Sequence, residues 1–500
     1  MQRQLREQQL WDSFYMYTMR KSSNFSVPGS GKTSSVLGVY AYLNALSKVD
    51  RIIVISPKNA FSSWINEFKA CFGDKQILKS FNIQDNISNS KKHEILTYNW
   101  QTYNMILVNF ESVGSYREEL RKIIGKGDAL LVFDEVHRIK GVGKVYATNA
   151  IEIAEEANHV ITMTGTPIPN TYADIYNNLH ILFPYEYDTL FGFSHNFLKN
   201  PNQLQKEDIN QKLKPFFCRT SKDDLHVPTA NEDDIIYITS TDIENKLFNI
   251  IYSKYRFNKL ALATRILQLE SNPQMLLESI DINEEFKSIF DIQDDIEELE
   301  YTDCFDDIKN WVKEIKISSK LQTCINLTLE LVKNNKSVII WTIFKKSISA
   351  ICQELSKYGI APIIISGDNT QEERLQSINQ FNAYTGQVLI TNPHTLAESV
   401  SLHNVCHDAI YYEYSYNLVH LLQSKDRIHR LGLPENQYTQ YYFLQNIFNF
   451  NNFEYSLDKE IYDRLKLKEE IMLNAISNDE LETIPSKEED INEIFKKLNI

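Results

Sequence analysis

Phe25-Ser26-Val27-Pro28-Gly29-Ser30-Gly31-Lys32-Thr33-Ser34 is the stretch around which the rest of the chain is organised. It follows the phosphate-loop pattern of four free positions and then G-K-[ST], with Ser26 standing in the first glycine slot. Glycines at 29 and 31 let backbone N–H groups turn inward around an anion. Lys32 is placed to reach the β and γ oxygens of a nucleoside triphosphate, and the Thr33 hydroxyl to ligate Mg²⁺. Apolar residues at Val36, Leu37, Val39, Tyr40 and Leu43 predict a helix from Ser34 to Leu46, its positive end aimed at the same charge. Pro28, Gly29, Ser30, Gly31, Lys32, Thr33 and Ser34 are therefore the expected ATP-binding set. A Gly-Ser turn carrying a chance lysine would spell the same letters, so the surrounding pattern has to decide.

Outward from the loop, short apolar runs alternate with helical ones. Arg51–Ser56 is a β-branched run stopped by Pro57; Met105–Phe110, Ala129–Phe133 and His159–Thr164 are further continuous runs. Such runs read as strands buried on both faces of a parallel sheet, with ligands expected outside their carboxyl ends. Before the loop, Leu5–Trp11 opens a helix. The strand pattern stops near Pro184, and from Tyr185 to Leu299 the apolar spacing is mostly helical. It restarts at Ser337–Trp341, Pro362–Ser366, Gln387–Thr391 and Asp408–Tyr412. The expected fold is α/β, two parallel-sheet lobes with a helical insert between them. The expected divisions are 1–235, a helical insert and acidic linker at 236–310, a second lobe at 311–475 and an acidic helical tail at 476–500.

The 500 residues are 43% hydrophobic and 24% charged, the balance of a globular protein, with a formal net charge of −14. That charge argues against a generally basic nucleic-acid binder but leaves room for a local basic groove. Acidic residues concentrate in Asp291–Asp307 and Glu480–Glu493. Six scattered cysteines form no C-x-x-C pair, which reads as reduced thiols without structural zinc. Neither a secretory signal nor an apolar run of about 20 residues is present, so a cytoplasmic chain with no membrane partner is expected.

Two further stretches carry chemistry. Phe133-Asp134-Glu135-Val136-His137 ends a buried strand in two carboxylates. Beside a phosphate loop, Asp134 is expected to complete the Mg²⁺ shell and Glu135 to orient or deprotonate the attacking water; a solvated acidic turn is the plainer alternative. In Ser424-Lys425-Asp426-Arg427-Ile428-His429-Arg430-Leu431-Gly432, Arg427 and Arg430 lie three residues apart and are expected to share one face of a helix. Such arginines can stabilise charge on a transferring phosphoryl group. A surface salt-bridge helix with Asp426 is the alternative.

Taken in order, these stretches resemble the Swi/Snf-like ATPases of helicase superfamily two. Leu5–Gln9 is similar to the adenine-reading glutamine motif, with Gln9 in the reading position. Ser56-Pro57 with Trp64-Ile65-Asn66-Glu67, and Asn109-Phe110-Glu111-Ser112, resemble two more family stretches. Asp134–Lys140 resembles the extended Asp-Glu-Ala-His box with valine for alanine, and Thr164–Asn170 the coupling motif. Pro215–Lys222 is similar to a segment found in the Swi/Snf branch. Ile365-Ser366-Gly367 with Glu373-Arg374 and Phe381-Asn382 resembles the second lobe's series, and Gln423–Gly432 the last motif.

The resemblance implies two RecA-like lobes with ATP and Mg²⁺ in a cleft, Arg427 and Arg430 completing the site when the lobes close. It implies double-stranded DNA held at its phosphates by groups near Lys58, Arg138, Thr166, Arg219 and Lys222. His137, Thr164 and Gln423 lie in the motifs that couple the two sites. Translocation on duplex DNA is favoured over strand separation. There are departures: Thr395–His403 lacks the family's glycines, and Val-Pro-Gly-Ser-Gly replaces the remodellers' Met-Gly-Leu-Gly. These point to a compact prokaryotic or viral member, with a nuclease or other defence-system subunit as a partner by analogy. The alternative is a nucleotide-switched interaction subunit with little turnover. The tyrosines of Tyr411–Tyr416 are expected to pack rather than to stack on bases.

Overall fold

Strands β1 (Lys21–Asn24), β2 (Arg51–Ile55), β3 (Ser80–Asn82), β4 (Met105–Val108), β5 (Ala129–Asp134), β6 (His159–Met163) and β7 (Phe217–Cys218) form one sheet. Its order is β3-β4-β2-β5-β6-β1-β7, and every pairing in it is parallel. These strands belong to a computed structural model that describes all residues except 140, 142, 169–170, 222–223, 279–304, 394–395, 397–400, 431, 451–452, 478–486 and 499–500. Every residue of β2 and β4 is buried, as a parallel sheet covered on both faces requires. Helices α1 (Glu7–Met19), α2 (Lys32–Ala45) and α3 (Phe61–Phe72) precede or follow the strands that carry the motifs. Trp64 and Phe68 of α3 and Val36, Leu37 and Tyr40 of α2 join the strand residues in one core.

A second sheet contains β8 (Asp234–Thr239), β9 (Ser337–Trp341), β10 (Ile363–Ile365), β11 (Val388–Thr391), β12 (Cys406–Tyr411), β13 (Gln440–Phe450) and β14 (Phe453–Tyr455). The order runs β10-β11-β9-β12-β13-β14, with β8 also paired to β13. All pairings are parallel except β13 with β14. The two α/β lobes read from the sequence are thus present. The chain divides into two compact units, one built on Met1–His226 and the other on Val227–Glu469.

Two expectations change. The division falls between His226 and Val227 rather than after residue 235. The region expected as a separate helical insert contains β8, and it is built onto the second sheet. The helix Asp242–Tyr255 turns Leu247, Phe248 and Ile251 inward, and Phe248 stacks on Phe448 of β13 with ring centroids 4.7 Å apart. Its amphipathic face needed an apolar partner, and the sheet supplies it. Most of the acidic stretch Asp291–Asp307 and part of the acidic tail lie outside the described residues, while the tail's helix, Lys487–Lys496, is among them. The tyrosines of 411, 412, 414 and 416 are buried, and Tyr411 stacks on Phe443 at 4.4 Å, so they pack the core. Among the described residues no helix is long and apolar enough to cross a membrane.

The second unit also buries charge. Lys320 is fully buried, and its Nζ donates to Asp458 Oδ1 and Oδ2 at 2.8 and 2.7 Å. Glu270, also fully buried, accepts the Leu457 N–H at 3.0 Å. Burial, reinforced by the negative charge of Asp458, pushes the Glu270 carboxyl well above its ordinary value of 4.5. A carboxyl raised in the folded state gives stability that is complete below its unfolded value and is lost as pH rises through the folded one. Glu270→Gln, which keeps an acceptor for Leu457, should therefore reduce the fall in unfolding free energy as pH rises above 4.5. Lys320→Met, which strands Asp458 without its cation, should cost about 3–5 kcal/mol. Urea unfolding at several pH values checks both.

Candidate nucleotide site

Strand β1 delivers the chain to the phosphate loop, and it is polar. Ser23 Oγ and Thr162 Oγ1 of β6 share a hydrogen bond of 2.7 Å, and Asn178 Nδ2 donates to Ser23 Oγ at 3.0 Å. Asn24 Oδ1 accepts the Ser26 N–H at 3.0 Å, which starts the turn. Gly29 and Gly31 then take φ of +80° and +87°, the left-handed region that side chains disfavour. A Cβ on Gly31 would lie 2.2 Å from Gln9 Nε2. Gln9, buried on α1, donates from Nε2 to the Ser30 carbonyl at 3.4 Å and accepts the Arg6 N–H at 3.1 Å.

Lys32 Nζ donates to the Ser26 and Val27 carbonyls at 2.9 and 3.3 Å. Thr33 lies half-buried in the first turn of α2, and Ser34 Oγ donates to Glu67 of α3. The serine in the first glycine slot has a partner of its own. Thr220, just past β7, donates its N–H to Ser26 Oγ at 3.0 Å.

The acid pair sits level with the loop. In register, Asn24 of β1 and Asp134 of β5 both pair with Met163 of β6. Trp64 Nε1 donates to Asp134 Oδ2 at 2.9 Å, fixing that carboxylate from α3. Glu135 takes φ +54° and ψ +48°, left-handed for a residue with a side chain. Its Oε2 lies 3.2 Å from His137 Nδ1, which is 2.8 Å from Thr164 Oγ1. Burial alone would raise Glu135; the His137 hydrogen bond and the charges of His137, Lys32 and Arg138 overcome it and hold the carboxyl down to about 2. Thr164 donates its N–H to the Asn24 carbonyl at 3.2 Å. A Cβ on Gly165 would meet Pro28 Cγ and Cδ at 2.7 Å, so the coupling motif presses directly on the phosphate loop.

These residues fit a magnesium nucleoside triphosphate. The ammonium of Lys32 rests on loop carbonyls within a cradle of left-handed glycines, Thr33 and Asp134 offer a hydroxyl and a carboxylate to a cation, and Glu135 stays ionised.

Among the expected DNA contacts, Lys58 and Arg138 are exposed and Arg219 is half-buried; Lys222 lies outside the described residues. Thr166 is only 4% exposed and its N–H is donated to Thr164 Oγ1 at 3.0 Å. It is packed into the coupling motif, where its hydroxyl lies 3.5 Å from Thr164 Oγ1. Gln423 is half-buried on the helix Leu418–Lys425 of the second unit.

The shared helical face expected for Arg427 and Arg430 is not found, because that helix ends at Lys425. Three contacts draw the chain into turns. The Arg427 carbonyl accepts the Leu402 N–H at 2.9 Å, His429 Nε2 lies 2.6 Å from the Pro228 carbonyl, and Arg430 Nη1 donates to Ser401 Oγ at 2.5 Å. Arg427 is 5% exposed, while Arg430 is half-buried. Most of the glycine-poor loop Thr395–His403 lies outside the described residues, but its end, Ser401 and Leu402, is what holds the last motif. Sequence reasoning gave no role to Trp64, Glu67, Asp12 or Thr220; the i,i+3 spacing of Trp64 and Glu67 was the available signal for the first two.

The SNF2-related domain matches residues 26–289 and the helicase conserved C-terminal domain residues 319–432. The chain therefore belongs to the Swi/Snf-like ATPase family of helicase superfamily two. It is 22% identical to the ATP-dependent DNA helicase DDM1 of Arabidopsis thaliana, over 94% of this chain and 62% of that one. It is 23% identical to an uncharacterized ATP-dependent helicase of Mycoplasma genitalium, over 81% of this chain and 36% of that one. The chain thus spans less than two thirds of these relatives' lengths. The SWI2/SNF2 ATPase core of Sulfolobus solfataricus in complex with dsDNA is similar at 17% identity and a TM-score of 0.40, covering 99% of this chain and 97% of that one.

Gly31→Ala adds a side chain at a left-handed φ, costing about 1–2 kcal/mol, and drives it into Gln9. The variant should stay folded and lose the rise in melting temperature that ATP with Mg²⁺ gives the wild type; thermal melting with and without nucleotide checks this.

Proposed function

We propose that this chain hydrolyses ATP to move along or remodel duplex DNA. The observation that carries the reading is the meeting of phosphate loop, Asp134 and ionised Glu135 at one end of β1, β5 and β6. The DNA helicase named among its relatives supports the same activity.

The loop N–H groups and Lys32 hold the phosphates. Thr33 and Asp134 would hold Mg²⁺, which when bound neutralises charge on the β and γ oxygens. Glu135 orients the attacking water and accepts its proton. His137 ties Glu135 to Thr164, so the base and the coupling motif move together. In the second unit, Arg430 meets the charge that develops on the γ-phosphoryl group. Arg427, more deeply buried, holds the turn that aims it. Lys58, Arg138, Arg219 and Lys222 contact DNA phosphates without reading bases. A nuclease or other defence-system subunit as companion is part of this reading, resting on the resemblance to compact prokaryotic and viral members.

Phosphate release with and without duplex DNA tests the proposal. Duplex should stimulate it, and log affinity should fall with log salt by about 0.9 per phosphate neutralised. Glu135→Gln should keep ATP binding and lose turnover by about 10²–10⁴-fold, since an amide cannot take the proton. Binding without duplex-stimulated turnover in the wild type would instead make the chain a nucleotide-switched subunit.

Arg430→Ala should lower kcat by about a thousandfold and change ATP affinity far less, with poor rescue by lysine because an ammonium lacks the planar fork. Single-turnover hydrolysis beside nucleotide titration separates the two effects.

A further inference from the structure

We propose that Thr220 is a positioning residue that links DNA engagement to the phosphate loop, an inference resting on the ATP- and DNA-dependent reading above. Thr220 is 1% exposed and uses all three of its polar groups on the nucleotide site. Its N–H is donated to Ser26 Oγ at 3.0 Å, and its carbonyl accepts the Val27 N–H at 3.0 Å. Its hydroxyl lies 3.3 Å from both carboxylate oxygens of Asp12.

Each of those partners leads to a group that handles nucleotide. The Ser26 carbonyl seats the Lys32 ammonium at 2.9 Å. Asp12 lies on α1 three residues past Gln9, whose amide rests on the Ser30 carbonyl over Gly31. Asp12 is buried, and burial raises its pKa against the hydrogen bonds from Thr220 and Gln8. One threonine therefore holds the seat of the lysine and the helix of the adenine-reading glutamine together. A shift of the segment after β7 moves both.

The departure at position 26 follows from the same contact. A glycine there would leave the buried Thr220 N–H without its acceptor, at the cost of an unpaired buried donor. The serine hydroxyl accepts from Thr220 and also acts on Asp12, and through it the loop is bolted to the segment that carries Arg219 immediately before Thr220. Arg219 is one of the cations proposed to meet DNA phosphates. A displacement of it on binding duplex is delivered through Thr220 to Ser26 and Lys32.

Thr220→Val keeps the shape and the main-chain bonds and removes only the hydroxyl; Thr220→Ser keeps the hydroxyl. Ser26→Ala removes the other link. The measurements are binding of a fluorescent ATP analogue and phosphate release with and without duplex DNA, on variants whose melting shows them folded. Thr220→Val should lower the ratio of stimulated to basal hydrolysis about tenfold and weaken nucleotide binding severalfold, with Thr220→Ser close to wild type. The Ser26→Ala/Thr220→Val double variant should be less impaired than the product of the singles, as groups in one linkage are. The inference is overturned if valine and serine at 220 behave alike, or if the two links act independently. If duplex fails to stimulate the wild type, the motor reading falls and the coupling to DNA with it. The nucleotide-binding comparison of valine with serine still decides whether Thr220 positions the loop.

Discussion

The first unit depends on the partners that a polar strand, Lys-Ser-Ser-Asn, finds at Ser23 and Asn24 inside a parallel sheet. Ser23 is held by Thr162 and Asn178, and Asn24 by the Ser26 N–H and the Thr164 N–H on its carbonyl. Buried polar groups left unmade cost about 1–3 kcal/mol each, so the network fixes one register for β1. That register places the phosphate loop, the acid pair and the coupling motif level with one another. An apolar strand would pack as well but could not start the loop, because it offers no side-chain acceptor for the first N–H of the turn.

The acid pair is set by opposed forces. Asp134 is pinned by the Trp64 indole, a rigid donor from a packed helix. Glu135 is placed in a left-handed conformation that costs about 1–2 kcal/mol for a residue with a Cβ. His137 and the nearby cations keep it charged against its burial. Strain of this kind persists where the surroundings over-determine the geometry, and here strand β5, His137 and Thr164 do so. The result is a carboxylate aimed by the backbone and kept ionised by its neighbours.

Apolar periodicity made most of both sheets legible. The runs that became β2, β4, β5, β6, β9, β11 and β12 are largely apolar and largely buried, as strands covered on both faces are. The strand that carries the phosphate loop was not legible, since Lys21-Ser22-Ser23-Asn24 looks like a turn until its partners are known. β8 was hidden because its short apolar run, Ile235–Ile238, sits in a region of helical spacing and lies along a sheet edge, with Ile238 buried and Tyr237 exposed. The individual motifs of the site were readable from residue types alone. The hydrogen bonds that join them were not, because Trp64 to Asp134 and Thr220 to Ser26 span 70 and 194 residues. The helical face assumed for the two arginines failed for a similar reason: a backbone bond to Leu402 redirects the chain there.

The pairing of β8 with β13 bears on how the protein is made. Asp234–Thr239 lies in register with Tyr442–Ile447, so the strand that opens the second unit waits for one synthesised some two hundred residues later. The first unit closes its sheet once β7, ending at Cys218, has left the ribosome. A vectorially synthesised chain therefore has its phosphate loop enclosed while β8 still presents an unpaired edge. Parallel, long-range pairing of this kind is slow to form and exposed to mispairing meanwhile. The burden on folding helpers falls on the second unit, whose sheet closes long after the first one's.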